Sequence, residues 1–280
     1  MTAQIRNDEM KKLLEPEYFG KNEPNMSWVH YPGAILSTCG LQGFWPMSAA
    51  VDTGTYYARD IATGINLTQV NGVTFGYLST ATVTALPPWA QFVAASSMYF
   101  STPDNAQHDI LGTETYISAN ERGLTVGGWF KFDTLNAGAG LYGLISKWYA
   151  AGLINDRAYR LYKNAANNIV FEISSNGTAG GAVSATSTAT VTTGVWYHLY
   201  GRFKPATSVD VFVDNVKTST VAGVPASVFD STEPFQIGRT SRANYHDGKA
   251  SMCHINAAQL SDAIINVLWE QSRVMYGREG

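Results

Sequence analysis

The segment Leu124-Thr125-Val126-Gly127-Gly128-Trp129-Phe130-Lys131-Phe132 alternates with period two. That spacing puts every second side chain on one face of a pleated strand, as a half-buried strand requires. Runs of the same kind recur along the chain. They are Leu41-Gln42-Gly43-Phe44-Trp45, stopped by Pro46, then a strand pair within residues 91–100, then Leu144-Ile145-Ser146-Lys147-Trp148. Tyr159-Arg160-Leu161-Tyr162, Ile169-Val170-Phe171-Glu172-Ile173, Trp196 to Phe203 and Val209-Asp210-Val211-Phe212-Val213 follow. Residues 52–80, rich in Gly, Thr, Asn and Tyr, suit loops and short edge strands. Asp214-Asn215 falls where a tight hairpin turn belongs, and Asn tolerates the positive φ of such a turn. Strands at this spacing predict an all-β sandwich. One helix is expected, capped by Ser261, with Ile264, Ile265, Leu268 and Trp269 on one face. No internal repeat and no linker divides residues 41–280.

Composition removes several classes of function. Of 280 residues, 45% are apolar and 15% charged, which supports a core and argues against a disordered chain, a coiled coil or a helix bundle. The net charge of −3 leaves no basic footprint, so no nucleic-acid partner is expected. No apolar run approaches the ~20 residues of a membrane helix, so no membrane partner is expected either. The two cysteines, Cys39 and Cys253, belong to no C-x-x-C pair. They read as two small buried apolar residues or as one disulfide tying the start of the domain to its end. Residues 1–36 form a segment of their own, with nine charges in the first 23 residues. Asn7 can cap a short helix carrying Met10, Leu13 and Leu14, ended by Pro16. The segment has no apolar stretch of the secretory type, so no signal peptide is read there, and the N-x-S/T triplets at Asn25, Asn66 and Asn176 are taken as chance. Residues 37–280 are read as one domain.

The order of the strand motifs carries a resemblance. Leu41 to Met47 followed by Ala58-Arg59-Asp60, and Leu124-Thr125-Val126 through Trp129-Phe130-Lys131, are similar to the opening and central strands of the concanavalin A-like, laminin-G-like jelly roll. Ile145-Ser146-Lys147, Tyr159 to Tyr162, Gly194-Val195-Trp196-Tyr197-His198-Leu199 and Val211-Phe212-Val213-Asp214-Asn215 resemble the strands that follow. Ile237-Gly238, Asp247-Gly248 through Ile255, and Leu260-Ser261-Asp262 resemble its close. The likeness covers residues 40–277. It implies a two-sheet antiparallel jelly-roll sandwich with an N-terminal extension and a short C-terminal helix. It also implies that the first and last strands are neighbours, bringing Cys39 and Cys253 near each other. Ser251 stands where the family often has Asp, and Asn215 replaces a turn Gly.

The fold hosts glycosidases, lectins and inert modules alike, so function must be argued from a site. Retaining glucanases of this fold resemble one another in an E-x-D-x-x-E strand that fixes two carboxylates at a set separation. No such triplet occurs here, and Glu172 and Asp210 are lone acids on strands. Five histidines are present (His30, His108, His198, His246 and His254) but no G-x-S-x-G elbow. Residues 138–143 match G-x-G-x-x-G by letter but lie between strands, so they read as a loop. No catalytic residue is assigned. The resemblance raises calcium, and Asp60, Asp156 and Asp247 are the candidate oxygen ligands in turns. Tyr56, Tyr57, Trp148 and Tyr149, in or beside loops, are the candidate sugar-stacking aromatics. The leading expectation is a non-enzymatic assembly protein. Its most concrete form is a bacteriophage virion decoration or appendage subunit, homo-oligomeric and docked on a capsid or tail protein through residues 1–36. The alternative is a carbohydrate-binding, lectin-like module that takes a surface glycan, with calcium as a possible aid.

Overall fold

The computed structural model describes residues 35–47, 49–52, 55–77, 87–135, 140–150 and 155–278, with the backbone alone at 49–52, 55–57 and Tyr77. The expected helix Asn7–Pro16 and nearly all of the segment 1–36 lie outside the described residues. Strands are numbered in chain order. The larger sheet runs β2 (Ala49–Asp52), β3 (Thr55–Ala58), β4 (Leu67–Val70), β7 (Tyr99–Thr102), β16 (Phe235–Ile237), β9 (Tyr142–Tyr149), β10 (Asp156–Lys163), β11 (Asn168–Ser174), β12 (Ala182–Thr190). The smaller runs β5 (Thr74–Tyr77), β6 (Pro88–Phe92), β19 (Gly248–Ala258), β8 (Arg122–Phe132), β13 (Trp196–Lys204), β14 (Ser208–Val213), β15 (Val216–Thr220). In that sheet β1 (Leu41–Trp45) also pairs with β19. A short hairpin of β17 (Arg239–Thr240) and β18 (Asn244–Tyr245) forms its own two-stranded ladder, and a helix, α1 (Asp262–Ser272), follows β19. The expected antiparallel two-sheet jelly roll is what the chain forms.

Register explains the layers. Across the larger sheet Phe100, Ile237, Ile145, Leu161, Phe171 and Ala185 stand opposite one another strand by strand. All six are buried in the inter-sheet core. One residue along, the row reads Thr68, Ser101, Gln236, Ser146, Arg160, Glu172 and Ser184. A pleat sends neighbouring residues to opposite faces, so this second row is the outer face. The turn Asp214-Asn215 has φ of 48° and 68°, the left-handed pair a two-residue hairpin needs.

The smaller sheet departs from the half-buried expectation. Strand β8 is buried on both faces, because α1 and the 273–276 turn lie against its outer side. Trp129, Phe44, Trp196, Met252 and Tyr276 form one outer cluster there. Leu36, Tyr200, Phe212, Leu260, Ile265 and Leu268 form another. The Ser261 hydroxyl accepts the Ile264 amide at 3.2 Å and caps the helix as expected. Strands β1 and β19 do pair, yet Cys253 stands opposite Trp45 at the far end of β1 from Cys39. Both thiols are free, so the disulfide reading is not realised.

Candidate functional site

Arginine and aromatic side chains share the outer face of the larger sheet. Arg160 stands on β10, and Tyr162, two residues on, shares its face. Trp148 lies two residues beyond Ser146 on β9 and therefore also faces outward. The Arg160 guanidinium lies 4.4 Å from the Trp148 ring centre and 4.3 Å from that of Tyr162. Its Nε donates to Glu172 Oε2 at 2.7 Å, and Nη2 reaches the same oxygen at 2.5 Å. Arg157, opposite Trp148, sits 6.0 Å from that ring and donates to Asn155 Oδ1 at 3.2 Å. Planar guanidinium on planar ring is favourable by about 0.5–2 kcal/mol, depending on exposure.

Hairpin β17–β18 crosses this face over β9. The Ser146 hydroxyl donates to the Arg239 carbonyl at 2.7 Å, and the Ser241 amide donates to the Trp148 carbonyl at 3.2 Å. Gly143 has to be glycine, because a Cβ there would strike the backbone of Arg239 and Thr240. From the hairpin itself, Arg239 stacks 3.8 Å from the Tyr99 ring centre, and the Tyr99 and Tyr245 rings are 6.1 Å apart. At the rim, Arg242 lies 4.1 Å over Tyr149 and pairs with the buried Glu233.

Each sequence-derived candidate has a definite place. Trp148 is in the face but only 3% exposed, so its ring is covered by Arg160 and does not stand bare in a loop. Tyr149 is half-buried under Arg242. Tyr56 and Tyr57 lie in β3, Tyr57 opposite Thr68, and their side chains lie outside the described residues. The three aspartates are not brought together. Asp60 accepts from the amides of Phe44, Ala62, Thr63 and Ile65 and from the Thr63 hydroxyl, organising the 60–65 loop. Asp156 accepts from Thr232 N and Oγ1. Asp247 accepts from Ala94 N and Thr134 Oγ1. Among the described residues no three His, Cys, Asp or Glu side chains group to hold a metal ion. Where acidic loops do converge, the buried Lys147 ammonium lies between Asp104 at 2.5 Å and Asp109 at 2.7 Å and donates to the Ser231 carbonyl. Burial pushes the Asp109 carboxyl up, against the pull of Lys147.

Tyr99, Arg160, Tyr162, Arg239 and Tyr245 were not singled out from sequence. Alternation within Tyr159–Tyr162 does place Arg160 and Tyr162 on the face opposite Tyr159 and Leu161. Nothing local joins them to Tyr99 or to the 239–245 hairpin.

The outer side of the smaller sheet holds the imidazoles. His254 Nδ1 bonds with Asn256 Oδ1 and Nε2 with the Tyr200 hydroxyl, each at 2.8 Å. Burial pushes His254 down to about 4 and His198 well below the usual imidazole range, so both are neutral. A cavity lined by Trp129, His198, Tyr200, His254 and Leu268 lies beneath α1. Ser251 bonds to the Pro88 carbonyl and the Tyr276 hydroxyl, and Ser272 accepts the Trp129 indole N–H. Apart from His198 Nδ1, which is buried without a partner among the described residues, these polar groups are engaged by packing partners under a helix. The lone acids are engaged as well, Glu172 by Arg160 and Asp210 by Arg202.

Two antiparallel sheets, one sealed by a helix and one with an arginine- and aromatic-lined outer face, define a lectin-like jelly-roll domain. The chain belongs to the concanavalin A-like lectin/glucanases superfamily, whose model matches residues 99–266. No curated protein sequence matches it. Among solved structures it is similar to the binding domain of Paraclostridial Mosquitocidal Protein 1, at 12% identity and TM-score 0.58, covering 84% of this chain and 53% of that one. It is also similar to Trypanosoma rangeli sialidase in complex with the inhibitor DANA, at 15% identity and TM-score 0.55, covering 86% and 37%. The binding domain of Botulinum Neurotoxin DC in complex with SialylT matches at 9% identity and TM-score 0.53, covering 84% and 51%. The chain thus spans about half or less of these structures, and at such identities the likeness is one of fold.

Proposed function

We propose that the protein is a non-enzymatic carbohydrate-binding module that takes glycan on the outer face of its larger sheet. The carrying observation is the set of arginine–aromatic stacks there, the half-buried Arg160 with Tyr162 over the buried Trp148, and Arg239 with Tyr99. A pyranose offers C–H faces to an aromatic ring and hydroxyls to a guanidinium edge, and this surface supplies both. The two neighbouring toxin domains are named as binding domains, which supports the reading. An immobilised-glycan screen, run with and without calcium, tests it. Hits are expected, and Tyr162→Ala and Arg160→Lys each lower affinity tenfold or more while the domain stays folded by circular dichroism. A screen empty in both conditions overturns the proposal. The virion assembly role is a separate proposal resting on the charged segment 1–36. Deleting residues 1–30 tests it, and unchanged assembly on a capsid or tail would remove it.

A further inference from the structure

Arg239 differs from the other arginines of the binding face in how its guanidinium is engaged. Arg160 and Arg242 each hold a carboxylate, Glu172 and Glu233, and Arg157 gives its Nη1 to Asn155 Oδ1 and the Gly177 carbonyl. Arg239 has none among the described residues: its Nε donates to Gln236 Oε1 at 3.0 Å, and its terminal nitrogens have no acceptor there. Gln236 is 2% exposed, and its own Nε2 is unpartnered among the described residues. The guanidinium carbon lies over the Tyr99 ring, 3.8 Å from its centre, and Tyr245 stands opposite Arg239 across the hairpin. The β17–β18 backbone is fixed in turn by Ser146 and by the close approach at Gly143. The result is a preorganised planar fork whose terminal donors are uncommitted among the described residues, flanked by two phenol rings. A fork of this kind matches a carboxylate through two parallel N–H bonds, and a lysine would not. The chain as a whole is acidic, so an anion would be drawn here by this local group and not by the general field.

We infer that Arg239, with Tyr99 and Tyr245, forms an anion subsite, and that the saccharide taken by this face carries a carboxylate. The inference rests on the binding face proposed above. Two probe pairs test it by calorimetry or NMR titration: 3′-sialyllactose against lactose, and methyl glucuronide against methyl glucoside. In at least one pair the acidic member binds tenfold or more tightly than its neutral partner. Arg239→Ala abolishes that preference, and Arg239→Lys, which keeps the charge without the fork, restores only part of it. Tyr162→Ala weakens both members of the pair alike. Acidic members that bind no better than neutral ones, or a preference that survives Arg239→Ala, overturn the subsite and leave the face standing. A glycan screen without hits removes the face as well, so the two failures are told apart.

Discussion

The two sheets treat their outer faces in opposite ways, and one residue type shows it. On the smaller sheet Arg202 is fully buried, bonded to Asp210 at 2.6 Å, to Asp262 at the start of α1 at 2.7 Å and to the Leu260 carbonyl at 2.6 Å. On the larger sheet Arg160 is half-buried, stacked between two aromatic rings with one carboxylate. The first arginine is consumed in fastening a helix to a sheet. The second lies where a ligand can reach it. An all-β layer keeps polar side chains within reach of solvent where only a short hairpin crosses its outer row, and gains a second core where a helix seals it.

The largest expected effect breaks the sealed side. Arg202→Ala leaves Asp210 buried without a counter-charge and releases the start of α1. Losing one partner of a buried pair costs about 3–5 kcal/mol, so urea unfolding should show a loss of that size. Arg160→Ala should cost clearly less, because Glu172 can turn to water. Equal losses from the two variants would mean that both faces are structural, and the contrast would be gone.

A smaller effect separates the faces by pH. Burial holds folded His254 at about 4, among Tyr200, Asn256 and His198. The unfolded chain protonates its imidazoles near 6.5. Between these values the unfolded state binds more protons. Stability is therefore complete above pH 6.5 and falls as the pH drops toward 4, by about 1.4 kcal/mol per pH unit for one imidazole. His108 and His246, also held at about 4 by burial, add to the same slope. Denaturant titrations across this range should show the slope reduced by one such share in His254→Gln. An unchanged slope would mean that this imidazole is not excluded from protons beneath the helix.

Much of the architecture was legible because it is local. The strand at Leu124–Phe132, the positive-φ tolerance of Asn215 and the cap at Ser261 each rest on a few residues, and each appears where expected, though the strand is not half-buried. What failed to read was set by distant partners. Strand β12, Ala-Val-Ser-Ala-Thr-Ser-Thr-Ala-Thr, has no large apolar residue and is a strand because β11 supplies its ladder. The outer row joins Ser101, Ser146, Arg160 and Gln236, whose alignment is a property of tertiary register that no short window contains. Trp148 and Tyr149 were legible as aromatics of interest, but not the arginines laid over them, because Arg242 arrives from a remote hairpin. The double-sided burial of β8 was hidden for the same reason, since its cover is a helix more than a hundred residues later.

The smallest effect locates where α1 is held. Asp262 is 56% exposed and takes two cations, Arg202 from beneath at 2.7 Å and Lys217 from the edge strand β15 at 2.6 Å. The lysine ammonium works in water, where a pair of this kind contributes about 0.2–1 kcal/mol and weakens as salt rises. Lys217→Ala should therefore shift the unfolding free energy by no more than that, with the shift shrinking at high ionic strength. Asp262→Ala should cost more, because it strips the buried Arg202 of a partner and removes an acid from the first turn of the helix. Should Lys217→Ala prove as damaging as Arg202→Ala, the helix would be held from the rim, and the sealed face would owe its closure to a surface contact that any edge-strand partner could disturb.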